Sequence, residues 1–288
     1  MVTTLARLIV HSVTAYPKPD FMLVKRGGAY APISSQEFGE GVKHLALGLR
    51  SLGFEAGHKL CLLSENRPEW TMTDFATLAA GGLTVPIYTT LVPEQIRYIV
   101  DDSDATVVVV SSADHWKKIE PLRPVLTKVK HYITFADEAP AGVLTLKAVL
   151  DRGRGVAESL PGEFDDLVAR VKPDDEATLI YTSGTTGVPK GVILTHDNLV
   201  SNIRTASELV EFSSKDTVLS FLPLSHVLER MVMFTYVYKG CTVAYAESVE
   251  AVAQNLLEIR PHIMVSVPRV FEKIYTKVMD QVLASPAL

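Results

Sequence analysis

The chain has 288 residues, 47% of them hydrophobic, a formal net charge of −5 and two cysteines. That length and composition allow a sizeable core in one large or two ordinary domains. The acidic balance and the absence of any Lys/Arg-rich run argue against a nucleic-acid binder. Cys61 and Cys241 lie far apart without metal-type spacing, which fits a reducing cytoplasm rather than a disulfide framework or a zinc site.

MVTTLARLIVHSV at the N-terminus carries Arg7 and no small-residue cleavage site after a long apolar core, so no signal peptide is expected. Phe21 to Ile33 predicts two short strands about a Gly27-Gly28 turn. Ser34 and Glu37 form a capping-box pair, and Phe38, Val42, Leu45 and Leu49 continue it as a helical stripe ending near Gly53. Lys59 to Ser64 reads as a buried strand, and Pro68 opens a helix that stops at Gly81. Phe75 to Pro93 is uncharged, but Gly81-Gly82 and Pro86 break it; a spanning helix needs about 20 apolar residues without such breaks. It is core, and any membrane contact would be peripheral.

TVPIY is a strand, Pro93 starts a helix, and the four valines within Thr106 to Ser112 mark a strand buried on both faces. Asp101, Asp102 and Asp104 lack the spacing and glycine of an EF-hand and read as a helix end meeting a solvated turn. A helix, a strand at HYITF and a helix around Leu146 to Leu150 follow. From Gly153 to Asp175 periodicity fades, predicting a surface connection. Beyond it come strands at Ala177–Thr182 and GVILT, a helix over Asn198–Phe212 and a strand at TVLSF. A helix over Val227–Lys239, a strand at CTVAYA, a helix over Val249–Arg260, a strand at IMVSV and a final helix over Arg269–Leu283 complete the pattern. Such βα alternation predicts an α/β protein with mostly parallel sheets flanked by helices.

The most informative stretch is YTSGTTGVPKGVILTH, Tyr181 to His196. Its glycines let backbone N–H groups approach an anion, and Thr182, Ser183, Thr185 and Thr186 add hydroxyl donors. Lys190 supplies one compact positive charge, and Pro189 limits the loop's freedom. A Walker A loop does not fit: Gly191 follows the lysine where Ser/Thr is needed, and the loop leads into a strand rather than a helix. The alternative, a flexible polar surface loop, sits poorly with ordered strands on both sides.

YTSGTTGVPKGVILTHDN resembles the phosphate loop of the adenylate-forming superfamily, which includes acyl-CoA synthetases, luciferases and amino-acid adenylation domains. LPLSHVLER (Leu222 to Arg230) resembles the next family motif. SVPRVFEK, SENRPEW and PIYTT are similar to segments of the long-chain fatty acyl-CoA synthetases, and the resemblance covers nearly the whole chain. It implies activation of a long-chain fatty acid by ATP to an acyl-adenylate with release of pyrophosphate, then transfer to coenzyme A. ATP phosphates would be held by Thr182, Ser183, Gly184, Thr185, Thr186, Gly187 and Lys190, with Mg²⁺ bridging them. His226 would lie near the acyl carboxylate, or else serve only as a helix N-terminal residue. Met231, Met233, Phe234, Tyr236 and Tyr238 would line an acyl tunnel or simply fill the core, and His196 belongs to a helix cap.

The family's later motifs, which carry the metal glutamate, the ribose aspartate and the adenylation lysine, have no counterpart here. No Gly-Asp or Gly-Lys pair occurs, and the last glycine is Gly240. The resemblance therefore implies the N-terminal part of the adenylate-forming large domain, with an incomplete second sheet and barrel and no C-terminal domain. Residues 1–175 would form the first αβα subdomain, and residues 176–288 the phosphate loop and part of the second. An aspartate for a substrate amine is missing between Asp216 and Asp280, which disfavours amino acids. The alternative is a shortened, non-catalytic paralogue that binds nucleotide or an acyl group.

Overall fold

The structure, a computed structural model, describes residues 2–182 and 189–284. In chain order the elements are α1 (Leu5–Ala15), β1 (Met22–Arg26), β2 (Ala29–Ile33), α2 (Ser35–Ser51), β3 (Lys59–Leu63), α3 (Pro68–Ala79), β4 (Leu83–Ile87) and α4 (Pro93–Asp102). Next are β5 (Val107–Val110), α5 (Ala113–Ile119), β6 (His131–Thr134), β7 (Leu144–Thr145), α6 (Leu146–Ser159), α7 (Glu163–Arg170), β8 (Glu176–Thr182) and β9 (Lys190–Thr195). The remainder is α8 (His196–Leu209), β10 (Thr217–Ser220), α9 (Val227–Tyr238), β11 (Thr242–Tyr245), α10 (Val252–Ile259) and α11 (Pro268–Ala284).

Two open sheets result, and among the described residues no barrel closes. One has seven strands in the order β7-β6-β5-β3-β4-β8-β9, parallel except for the last pair; the other is β10-β11-β1-β2, parallel except for β1-β2. The sheets cross the 175/176 division drawn from the sequence: β8 and β9 complete the larger sheet, whereas β1 and β2 belong to the smaller.

Period-two alternation sorts the strand residues into layers. Leu60, Leu62, Val107 and Val109 face a core shared with α1, α2, α3, α8 and α9 and with Val218, Val243 and Tyr245 of the smaller sheet. Cys61, Leu63, Val108 and Val110 face the opposite side, against α4 and α5. Leu219 and Ala244 turn outward toward α10. The result is helices, sheet, helices, sheet, helices, with the middle helical layer common to both sheets. β9 is an edge strand with Val192 45% and Ile193 50% exposed. No helix among the described residues is long and apolar enough to cross a membrane.

Local signals explain most elements. Gly27 and Gly28 both take positive φ at the β1-β2 turn, as a two-residue hairpin requires. Ser34 and Glu37 make both hydrogen bonds of the capping box, 3.1 and 2.8 Å. The N-terminal stretch forms α1, whose first N–H donates to His196 Nδ1 at 3.2 Å. Burial pushes the His196 ring down to about 4, which keeps Nδ1 free to accept.

Two expectations fail. IMVSV is not a strand; only Ile263 bridges to Val218. The expected connection over 153–175 instead contains the second half of α6 and all of α7. Gly153 acts there as a point of close approach rather than a helix breaker. A Cβ at Gly153 would lie 1.7 Å from the His44 carbonyl, and one at Gly48 would lie 2.2 Å from the Val149 carbonyl, so the two helices cross through their glycines. Gly155, two residues on, meets nothing within 4 Å. Gly153→Ala should therefore lower stability by about 1–3 kcal/mol despite alanine's better helix propensity. Gly155→Ala should raise it by about 0.5–1 kcal/mol. Urea midpoints of the two variants check this, and equal shifts would refute the crossing.

Candidate active site

The hairpin of β8 and β9 carries the first group of expected site residues. Tyr181 pairs with Gly191 and Thr182 with Lys190. A side chain at Gly191 would strike Leu179 at 2.7 Å, so glycine is what permits the strand to lie this close. Thr182 and Lys190 therefore face each other across the hairpin, both exposed. Among the described residues no carboxylate pairs with Lys190, leaving its ammonium available to an anion. Ser183, Gly184, Thr185, Thr186 and Gly187 lie outside the described residues.

The second group begins at the end of β10. His226 is the N-cap of α9: its Nδ1 accepts from the Leu228 N–H at 3.2 Å, and its ring is exposed. The helix-terminal role is thus present, and no hydrogen bond joins His226 to Thr182 or Lys190 among the described residues. Asn66, from the SENRPEW segment at the carboxyl end of β3, grips the same turn. Its amide donates to the Leu222 carbonyl at 2.6 Å and its oxygen accepts from the Leu224 N–H at 2.9 Å. β3 has β4 on one side and β5 on the other, so it marks the topological switch point of the larger sheet. Ligands of open α/β sheets bind outside the carboxyl ends of strands at such a point.

A cleft of about 270 Å³ opens there between the sheets, with Glu65, Asn66 and Thr89 on one wall and Phe221, Ser225 and Ala246 on the other. Burial works to raise the Glu65 carboxyl, but hydrogen bonds from His115 (3.2 Å) and Ser111 (2.5 Å) hold it down at about 2. It remains ionised at any physiological pH.

Two buried charged residues on α9 escaped the reading of the sequence. Arg230 forks onto Asp74 of α3, Nε to Oδ2 at 2.8 Å and Nη2 to Oδ1 at 2.5 Å, and also donates to Thr178 of β8. Both members of the pair are almost fully buried. Thr178 in turn donates to the Thr84 carbonyl at 2.6 Å. Glu229 is buried and accepts from Ser220 at 2.6 Å. Desolvation dominates and pushes its carboxyl up to about 7. A charge inside an apolar helical stretch, here Glu229-Arg230 before MVMFTYVY, is the one sequence signal that could have found them. Met233, Phe234 and Tyr236 lie in the core, as the simpler of the two earlier readings had it.

Among the described residues no group of three or more His, Cys, Asp or Glu side chains could hold a metal ion.

Residues 11–287 match the family of AMP-binding enzymes, and the chain belongs to that family. It is 35% identical over 261 residues to the long-chain-fatty-acid–CoA ligase FadD15 of Mycobacterium bovis, covering 89% of this chain and 42% of that protein. It is 32% identical over 285 residues to the long-chain-fatty-acid–CoA ligase ACSBG2 of Xenopus laevis, covering 95% and 38%. The chain thus spans about two fifths of the length of these relatives. The fold is shared with a long-chain-fatty-acid-CoA ligase (FadD1) from Archaeoglobus fulgidus, at TM-score 0.81 and 24% identity over 96% of this chain and 54% of that one. It is also shared with the N-terminal domain of FACL13 from Mycobacterium tuberculosis, at TM-score 0.79 and 22% identity over 94% and 64%.

Removing one partner of a buried pair strands the other charge, so Asp74→Ala should cost about 3–5 kcal/mol in chemical denaturation. A loss below about 1 kcal/mol would mean that Arg230 finds water instead. The raised Glu229 carboxyl favours the folded state below its ordinary value of 4.5, and that stability is lost as pH rises through about 7. Glu229→Gln should therefore match the parent near pH 4.5 and exceed it by about 3 kcal/mol at pH 8.5. Parallel pH–stability curves would show that Glu229 does not titrate in this range.

Proposed function

We propose that the chain forms part of an enzyme that activates a long-chain fatty acid with ATP, giving an acyl-adenylate and pyrophosphate, and then passes the acyl group to coenzyme A. The observation that carries this reading is the opposed, exposed Thr182–Lys190 pair on the edge hairpin of the larger sheet in an AMP-binding family member. The two long-chain-fatty-acid–CoA ligases to which the chain is similar support the fatty acid as substrate class.

The chemistry suits such a hairpin. A carboxylic acid is already ionised at neutral pH, so no general base is required. An anion must instead approach an anion, and the barrier falls through charge neutralisation and in-line positioning. Lys190 would neutralise β/γ-phosphate charge. The Thr182 hydroxyl, with those of Ser183, Thr185 and Thr186 and the backbone at Gly184 and Gly187, would donate to phosphate oxygens. His226, exposed at the start of α9, would face the acyl carboxylate. The chemistry Mg²⁺ supplies when bound would be further neutralisation of phosphate charge.

The test is fatty-acid-dependent ATP–pyrophosphate exchange by the purified chain, with direct titration of ATP and magnesium alongside. Lys190→Ala removes a charge-assisted contact worth about 1.5–3 kcal/mol and should weaken ATP binding at least tenfold. Unchanged ATP affinity in that variant would end the phosphate-site reading. Binding without exchange would leave a nucleotide-binding lobe in place of an enzyme.

A further inference from the structure

The phosphate hairpin does not stand alone. Tyr98 and Asp102 are four residues apart on α4 and so share one face of the helix. The Tyr98 hydroxyl donates to the Pro189 carbonyl at 3.1 Å, immediately before Lys190. Asp102 accepts from the Tyr181 hydroxyl at 2.6 Å, immediately before Thr182. The two tyrosine rings meet edge to face, with centroids 6.2 Å apart and planes at 84°. One helix face therefore holds both strands of the hairpin, each one residue short of the side chain that faces its partner.

From this geometry we infer that Tyr98 and Asp102 are positioning residues for ATP, acting through Lys190 and Thr182. The inference rests on the phosphate-site reading given above. Two features separate it from ordinary packing. Asp102 occupies the last turn of α4, where the carbonyl end of the helix disfavours a carboxylate, so its presence is not explained by the helix itself. Asp102 is also exposed and lines an open groove of about 700 Å³ with Glu94, Arg97, Tyr98 and Leu122, so trimming it unpacks little. The Tyr98 ring would remain in Tyr98→Phe, which removes only the hydroxyl that reaches Pro189.

A double-mutant cycle on ATP affinity decides the matter, measured calorimetrically with magnesium present. Tyr98→Phe should weaken ATP binding about fivefold, while lowering the melting temperature by no more than the few degrees that one neutral hydrogen bond is worth. Asp102→Ala should act in the same direction. In a Lys190→Ala background, Tyr98→Phe should have no further effect, because a positioning residue loses its influence with the group it positions. Wild-type affinity in Tyr98→Phe, or losses that multiply in the double variant, would overturn the inference while leaving the phosphate site standing. A parent chain that binds no ATP would overturn both.

Discussion

The buried fork of Arg230 on Asp74 is the interaction on which the arrangement of the site depends. α9 begins at the turn bearing His226 and ends near the smaller sheet; Asp74 belongs to α3, and Thr178 to the larger sheet. One guanidinium thus ties two helices of the shared middle layer to a strand. Its planar donors can satisfy both Asp74 oxygens and Thr178 together, which a lysine could not. It also lies 5.4 Å from the Phe234 ring and 5.9 Å from that of Trp70, in an otherwise apolar layer. Such a pair contributes little net stability, because desolvation offsets most of its attraction. Its effect is on geometry, since any other packing of α9 would leave two charges buried apart.

That geometry reaches the site in two directions. Arg230 is one turn into α9 from His226, whose carbonyl accepts the Arg230 N–H at 3.1 Å. Thr178 lies four residues before Thr182 on β8, about 13 Å along the strand. The start of α9 and the end of β8 are therefore fixed to a common point. Asn66 makes the second tie, holding the 222–224 turn of the smaller sheet's side to the carboxyl end of β3. Together they keep the cleft between two sheets that pair with no common strand.

Much of this was legible in the residues themselves. Gly27-Gly28, the Ser34/Glu37 box and the run of valines each act through neighbours in sequence, and each produced the element expected. The β8–β9 hairpin was legible because strand-type sequence flanks the glycine-rich stretch on both sides. What stayed hidden depends on distant partners. Gly153 stood at the start of an expected surface connection because its role is set by the His44 carbonyl on another helix. IMVSV has strand-like composition, yet only Ile263 finds a neighbouring strand to bridge. Nothing local in the sequence marks what Asn66 and Asp74 hold, because their partners lie more than 150 positions away.

The distribution of charge links the interior to the chemistry. Among the groups buried in the middle of the molecule, Arg230 and Asp74 cancel each other. Burial works against charge at the others, pushing Cys61 up to about 12, His196 down to about 4 and Glu229 up to about 7. Near neutral pH only Glu229 is poised to ionise. The core therefore exerts little net field on the hairpin. The whole chain, at −5, repels rather than attracts a polyphosphate, and beyond a Debye length of about 8 Å salt screens even that. Long-range steering of the kind a basic surface provides is not available here. In the proposed function, affinity for ATP would therefore come from contact, through Lys190 and the Thr182 hydroxyl, and the Tyr98/Asp102 face of α4 would matter as much as those two groups.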